Sequence, residues 1–498
     1  MKKLRITIYL AALLAITAST HAEDFTLTDT QHLDVTTSYE NGYLWDFSTA
    51  NILTGANIIS RLVAYDSSIV NVSGGSVSNL ICAHYSSTVN VSGGTIDNLN
   101  ADYLRLNGSQ RVNITNGTVA TLKPSVLLQG GEHLNYATDF SLSDLASYGV
   151  HAAPGTVTSV KTSFITNNSS NLSISGGNVD SFHARDTSTV NVSDGSVNGL
   201  YALNDSNVNI SGGTINNYIS AQGNGTVNVS NGSVNKIEAM HNSTVNVSGG
   251  AINLLQMDGL QLNGTQRASI TNGTVTTLRP WIDLQASQHL NYTADFSLSD
   301  LASYGVQAAP GTVTSIEAIF TARDTSSLSI SNGSIYKLQA NDNSVIDISG
   351  GGVDKVYASH NSTVNISGGN LNWLHASDSS TVNISDGSVW ILYAGKGLFP
   401  GNSIVNISGG SVDRLSAELS GTVIFDGYDF TLGCGLSWGI DGQTILGTGI
   451  LSGMWFNDTS FVINIITHDT TATIMAIPEP ATVLLLSLGG LALLRRKR

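Results

Sequence analysis

In Thr244-Val245-Asn246-Val247-Ser248-Gly249-Gly250 polar and apolar residues alternate, and the alternation ends on two glycines. A period of two marks a strand with one buried face, and β-branched residues suit a pleated surface. The Gly-Gly pair breaks the strand and turns it. A second short strand follows, with Ile252 and Leu255 predicted to face inward; sister coils carry Val197, Leu200 and Ala202, or Val353, Val356 and Ala358, in the same places. Polar corners such as Arg185-Asp186-Thr187-Ser188 and Asn341-Asp342-Asn343-Ser344 close each coil with turn-forming residues.

This frame recurs from about residue 67 to 417. With the first Val of each Val-Asn-Val triplet as marker, the series runs Val70, Val89, Val112; Leu172, Val190, Val208, Val227, Val245, Ala268; and Leu328, Ile346, Val364, Val382, Val405, Val423. Most steps are 18 or 19 residues, three are 23, and two gaps of 60 interrupt the series. Extra residues fall at corners, where they leave the inward pattern intact. One such coil cannot bury its apolar face alone, but stacked coils can, with like residues in ladders about 4.8 Å apart. The pattern predicts an all-β fold, an elongated parallel β-helix or β-solenoid of about twenty 18–19-residue coils with β caps and a C-terminal hydrophobic helix. A right-handed helix is favoured, because the regularly spaced aliphatics of left-handed hexapeptide helices are matched poorly.

The two gaps are copies, LQGGEHLNYATDFSLSDLASYGVHAAPGTVTSV and LQASQHLNYTADFSLSDLASYGVQAAPGTVTSI, 156 residues apart. The same offset separates Val89 from Val245, so a block of about eight coils was duplicated whole. Within each copy Ser-Leu-Ser-Asp-Leu-Ala-Ser-Tyr-Gly predicts one helical turn ended by Gly149 or Gly305, and the remaining length suggests about three irregular coils.

Around the repeats the chain divides further. Residues 1–22 read as a secretory signal, with Lys2, Lys3 and Arg5 before an apolar run and Thr20-His21-Ala22 as the cleavage site. Residues 23–66 form an N-terminal cap with a degenerate first coil, 67–419 the solenoid with irregular inserts at about 123–165 and 279–321, and 420–475 a C-terminal β cap rich in glycine and aromatic residues. Residues 476–498 form the tail: Pro478, Glu479 and Pro480, an apolar run over 481–494, and the basic cluster Arg495, Arg496, Lys497 and Arg498. Fourteen apolar residues are short for a span of about 20, but flanking residues and arginine stems extend them, and a positive end favours the cytoplasmic side. The tail therefore reads as a membrane anchor and stop.

The order Pro-Glu-Pro, hydrophobic stretch, basic terminus resembles the PEP-CTERM sorting signal of exported bacterial proteins. That resemblance implies recognition of Pro478, Glu479 and Pro480 by an exosortase-type membrane protease, then delivery to the cell surface or an extracellular polysaccharide matrix. The Asn-[Val/Ile]-Ser-Gly-Gly frame more loosely resembles the β-helical passengers of autotransporters and adhesins.

Composition narrows the function. Only 11% of residues are charged and the formal net charge is −15, whereas a nucleic-acid partner needs a basic face. Cys82 and Cys434 are far apart in sequence, and stability is expected from the ladder and not from cystine. The aspartates sit mostly at corners (Asp66, Asp186, Asp205, Asp324, Asp342, Asp378), where turn chemistry explains them, and no coil gathers paired acids for glycan cleavage. Histidines His84, His183, His241, His360 and His375 are scattered over separate coils. No catalytic, cofactor-binding or metal role is therefore assigned, and the chain is expected not to be an enzyme.

Two outward ladders carry more interest. One holds Thr88, Asn90, Thr189, Asn191, Thr226, Asn228, Thr244, Asn246, Thr363, Asn365, Thr381 and Asn383. Such a face either orders water, as an ice binder does, or pairs with itself to hold register. The second holds His183, Tyr201, Tyr357, His375 and Tyr393, rings that could stack on sugars, interleaved with Gln339, Glu238 and Ser416. The expected function is a non-enzymatic structural or adhesive surface protein contacting matrix polysaccharide; ice binding and polysaccharide cleavage are the alternatives.

Overall fold

The computed structural model describes residues 23–109, 111–395, 402–468 and 472–477. The signal segment, Pro478 to Pro480, the apolar tail and its basic cluster, including the expected hydrophobic helix, lie outside the described residues. The fold is all-β, with 64% strand, 2% helix and about 21 solenoid turns. The chain forms two compact units, one of residues 1–236 with 242–250, the other of 237–241 with 251–498.

In the first unit, the strand Thr189–Ala202 shows why the repeat folds as it does. Val190, Val192, Val197, Leu200 and Ala202 are fully buried, while Thr189 and Asn191 between them are half-buried. Parallel pairing sets like on like: Val190 against Val208, Val208 against Val227, and Val227 against Val245. A slip of one residue would turn every valine to solvent, so the buried column fixes the register. In the second unit Val345–Ala358, Thr363–Ala376 and Thr381–Ala394 stack by the same rule, with Ile346 on Val364 and Val364 on Val382.

Three corner features recur. The residue two places after the inward Ala adopts positive φ, as at Asp66 (53°), Asp186 (55°), Asn204 (58°) and Asp342 (56°). Asp and Asn tolerate this left-handed conformation, which explains the corner composition. A serine just before the marker strand is buried at nearly every corner, and Ser68 and Ser87 donate to the carbonyls of Tyr65 (2.6 Å) and His84 (2.8 Å). The second glycine of each Gly-Gly pair in the repeats also has positive φ; at Gly213 (71°) a Cβ would lie 2.8 Å from the carbonyl oxygen of Gly195 in the coil beneath.

The inserts hold the two short helices, α1 (Leu142–Ala146) and α2 (Leu298–Ala302). Ser141 and Asp144 form a reciprocal capping box on α1, Ser297 and Asp300 on α2, and Gly149 (82°) and Gly305 (81°) follow in the left-handed region. Around α1 the hydrogen bonds run in steps of 38 residues: Val112 pairs with Val150, and His133 with Asn171. Val150–Ala152, later in sequence, ends the first stack of marker strands, while His133–Tyr136, earlier in sequence, begins the next. The expectation of three successive irregular coils thus meets a crossed arrangement. Aromatic rings fill the junction: Tyr136 lies 5.1 Å from Phe164 and from Phe140, and Phe140 lies 5.4 Å from Tyr148. Tyr292, Phe296, Tyr304 and Phe320 repeat the cluster in the second unit.

At the start of the first unit Phe25–Leu27 pairs with Ser38–Leu44, which pairs with Asn57–Ala64. At the end of the second unit the ladder changes sense. Thr422–Leu432 pairs antiparallel with Gly449–Trp455, which pairs antiparallel with Ser460–His468. Trp455 stacks on Phe461 at 4.0 Å and donates its indole N–H to the Gly410 carbonyl (2.9 Å). Thr473–Ile477 then lies parallel on Thr422–Leu432, the last described strand before Pro478. Cys82 and Cys434 are both free thiols.

Candidate interaction faces and the sorting terminus

The Thr and Asn positions singled out in the repeats are all half-buried, on the outward side of the marker strands. The asparagines are engaged with each other. In the first unit the amide of Asn90 donates to Asn71 (2.9 Å), and Asn209 to Asn191, Asn228 to Asn209 and Asn246 to Asn228, each at 2.8 Å. In the second unit Asn365 donates to Asp347 (2.7 Å) and Asn383 to Asn365 (2.8 Å). Asn209, Asn228 and Asn365 thus each donate to the coil before and accept from the coil after, a side-chain copy of the backbone ladder. Thr88, Thr189, Thr226 and Thr244 sit beside it, as do Thr363 and Thr381 in the second unit. Replacing Asn228 with Ala should cost about 1 kcal/mol in chemical denaturation. Asn228→Asp should cost more at neutral pH, because a carboxylate would face the Asn209 oxygen without a proton to give.

The second ladder is ring-bearing and also half-buried. His183 stacks on Tyr201 at 4.5 Å; in the second unit His375 lies 5.6 Å from Tyr357 and 4.7 Å from Tyr393. Gln339 pairs with Tyr357, and Ser416 with Tyr393, in the same column. One cation joins it: Lys337 lies over the ring of Tyr357 (5.2 Å) and over Trp281 (5.3 Å) in the adjacent column; Arg279 lies over Tyr336 (4.0 Å) outside the ladder.

A third ring cluster, in the first unit, was not evident from the repeat pattern. Trp45 stacks on Tyr65 (4.1 Å), Tyr65 on His84 (5.0 Å), and, one residue further round the corner, Tyr85 on Tyr103 (5.5 Å). His84 forms an ion pair with Asp102 at 2.9 Å, and that hydrogen-bonded carboxylate raises the imidazole to about 9, so it is charged at neutral pH. The signal in the sequence was available: tyrosine occupies a corner column held by Asp, Asn, His or Gly in most other coils, with Leu419 a further bulky exception.

Acidic groups are mostly dispersed along the corners. The exception is in the second unit, where burial raises Asp258 and Asp283, with Glu238 and Asp283 adding repulsion at Asp258. Arg323 stands 3.8 Å from Asp283. Among the described residues no group of three or more His, Cys, Asp or Glu side chains is arranged to hold a metal ion.

Two buried arginines also escaped the periodic reading. Arg111 is 5% exposed, and its guanidinium donates to the carbonyls of Ser87 (3.1 Å), Ala83 (3.0 Å) and Asp102. In ordinary coils the backbone N–H after the corner serine bonds to the serine carbonyl beneath, as Thr88 does to Ser68; the Arg111 N–H bonds instead to Gly149. The side chain takes over the carbonyl that the displaced backbone leaves. Burial lowers the guanidinium to about 10, which leaves it charged at neutral pH. Arg267 bonds the carbonyls of Ala239 (3.1 Å) and Asp258 in the duplicated block.

Residues 476–498 match the PEP-CTERM protein-sorting motif. Its first two residues, Ala476 and Ile477, belong to the strand Thr473–Ile477, and the rest lies outside the described residues. The motif marks an exported protein sorted by exosortase, a membrane enzyme. No curated protein and no solved structure matches the chain. Among the described residues no helix is long and apolar enough to cross a membrane.

Proposed function

We propose that this exported solenoid is a non-enzymatic structural or adhesive component of the cell surface or extracellular matrix. The observation that carries the reading is repetition: an outward ring column recurs on successive turns, His183 on Tyr201 in the first unit and Tyr357, His375 and Tyr393 in the second. A repeated face suits many weak contacts with a polymer whose own units repeat. Linked contacts multiply, so a long polysaccharide should bind about 10²-fold or more tighter than its short oligomers. The Asn amides are spent on one another, which leaves less of a free lattice for ordering water and weakens the ice-binding reading. Asp258 and Asp283 are the nearest approach to paired acids, and burial raises both above the ordinary carboxylate range; we assign them to the column and not to cleavage.

Processing at the tail would leave the β cap whole, since Thr473–Ile477 is ladder-bonded to Thr422–Leu432 up to Asp426 and Ile477. The test is binding of the processed, exported protein to matrix polysaccharide and to size-fractionated oligomers. Length-dependent binding with no new reducing or unsaturated ends supports the proposal. Chain cleavage that Asp258→Asn or Asp283→Asn abolishes would replace it with an enzyme, and thermal hysteresis lost on substituting the Thr/Asn column would replace it with an ice binder.

A further inference from the structure

The positive-φ corner column of the first unit runs through Asp29, Asp46, Asp66, Tyr85, Tyr103, Asn168, Asp186 and Asn204. Asp and Asn adopt this conformation readily, whereas a bulky aromatic residue there is strained. Tyr85 (53°) and Tyr103 (59°) are neighbours in the column, and their rings lie parallel, 7° from coplanar directions and 5.5 Å apart. Two strained positions in contact call for a compensating use.

The duplicated block supplies a comparison within the chain. At the offset of 156 residues, Arg111 and Tyr148 recur as Arg267 and Tyr304, and Leu106 and Asn107 as Leu262 and Asn263. Tyr85, Tyr103 and Arg105, by contrast, become His241, Gly259 and Gln261. Gly259 has φ of 65°, so the same corner forms without a ring. What builds the corner is kept in both copies; the tyrosine pair and Arg105 belong to the first copy alone.

These groups line one open cleft of about 500 Å³, together with Gln129, Tyr148 and Asn167. Tyr85 is 57% exposed, and Arg105 is exposed at the rim. Among the described residues no carboxylate forms an ion pair with Arg105. The Arg111 guanidinium at the cleft floor is already held by backbone carbonyls.

We propose that this cleft is a subsite for an acidic, uronate-bearing glycan. The C–H face of a pyranose ring is apolar and slightly positive and packs on the electron-rich face of an aromatic ring. Tyr85 and Tyr103 supply that surface, Arg105 pairs with the uronate carboxylate, and Gln129 and Asn167 offer hydrogen bonds to hydroxyls. The inference rests on the polysaccharide reading above and adds a discrete site and a charge preference to it.

The test uses the processed protein with a soluble polyuronate and a neutral β-glucan, read by calorimetry or affinity electrophoresis at low salt. Tyr85→Asn with Tyr103→Gly installs residues that the chain itself uses at this corner; it should weaken polyuronate binding at least tenfold while the melting temperature holds or rises. Arg105→Gln should weaken it at least fivefold and erase the preference over the neutral glucan. Unchanged binding in these variants overturns the subsite but leaves the polysaccharide reading standing. A lower melting temperature in the tyrosine pair assigns the rings to the fold and overturns the proposal. Wild-type protein that binds neither polymer overturns both readings.

Discussion

Replacing Arg111 with Met should lower the stability of the first unit by about 3–5 kcal/mol, because Met fills much of the same volume but takes from the carbonyls of Ala83, Ser87 and Asp102 the donors that the guanidinium supplies. Each such group carries a desolvation penalty of about 1–3 kcal/mol when orphaned. Arg111→Lys should fall between: it keeps the charge, but a single ammonium on a flexible stem cannot reach three carbonyls set for a planar fork. Stacked coils open piecewise, so amide hydrogen exchange around residues 83–112 is the readout of choice, with chemical denaturation beside it. Protection in Arg111→Met equal to wild type would remove the guanidinium from the account of how the chain leaves and rejoins the stack. The same change at Arg267 should act alike in the second unit, since it bonds the corresponding carbonyls of Ala239 and Asp258.

The solenoid was legible because its cause is local and repeated. Alternation at Val245, Val247, Ile252 and Leu255 states which side chains face inward, and repetition at 18 or 19 residues states that like will stack on like. The inserts were legible only in part. Ser141, Asp144 and Gly149 spell a capped helical turn in nine letters, whereas the crossing of Val150–Ala152 with His133–Tyr136 depends on which strand reaches an open ladder edge. No periodicity records that choice. The buried arginines were hidden for a related reason: Arg111 occupies the position where ordinary coils place an outward Thr, and only the backbone displacement turns it inward. As for the faces, the Asn column could be named from sequence, but its engagement is a matter of side-chain rotamer and coil spacing. Tyr85 and Tyr103 were readable as departures from a corner consensus, a signal that emerges once the corner is known to require positive φ.

The sharpest demand the stack makes on the sequence falls on the second glycine of each pair, and Gly213→Ala should cost about 3 kcal/mol or more, combining left-handed strain with overlap against fixed backbone. At Gly213 φ is 71°, and an added Cβ would stand 2.8 Å from the Gly195 oxygen and 2.9 Å from the Asp194 carbonyl carbon. Neither can retreat, because the coil beneath is held by its own ladder. The preceding residue gives the informative contrast. A Cβ on Gly212 would come even closer, 2.0 Å from the Ser193 oxygen, and clearance alone would rank it as the worse site. Yet the chain places Asn116, Asp194, Asn231, Asn332 and Asp386 at the equivalent position, and the residue after each is always a glycine of positive φ: Gly117, Gly195, Gly232, Gly333 and Gly387. Side chains are therefore accommodated at the first position by a small backbone adjustment. Gly212→Asn should cost less than about 1 kcal/mol by denaturation, well below Gly213→Ala, since the coils on either side already carry Asp194 and Asn231 at this position. The reverse order would mean that coil spacing, and not backbone conformation, is what the Gly-Gly pair protects.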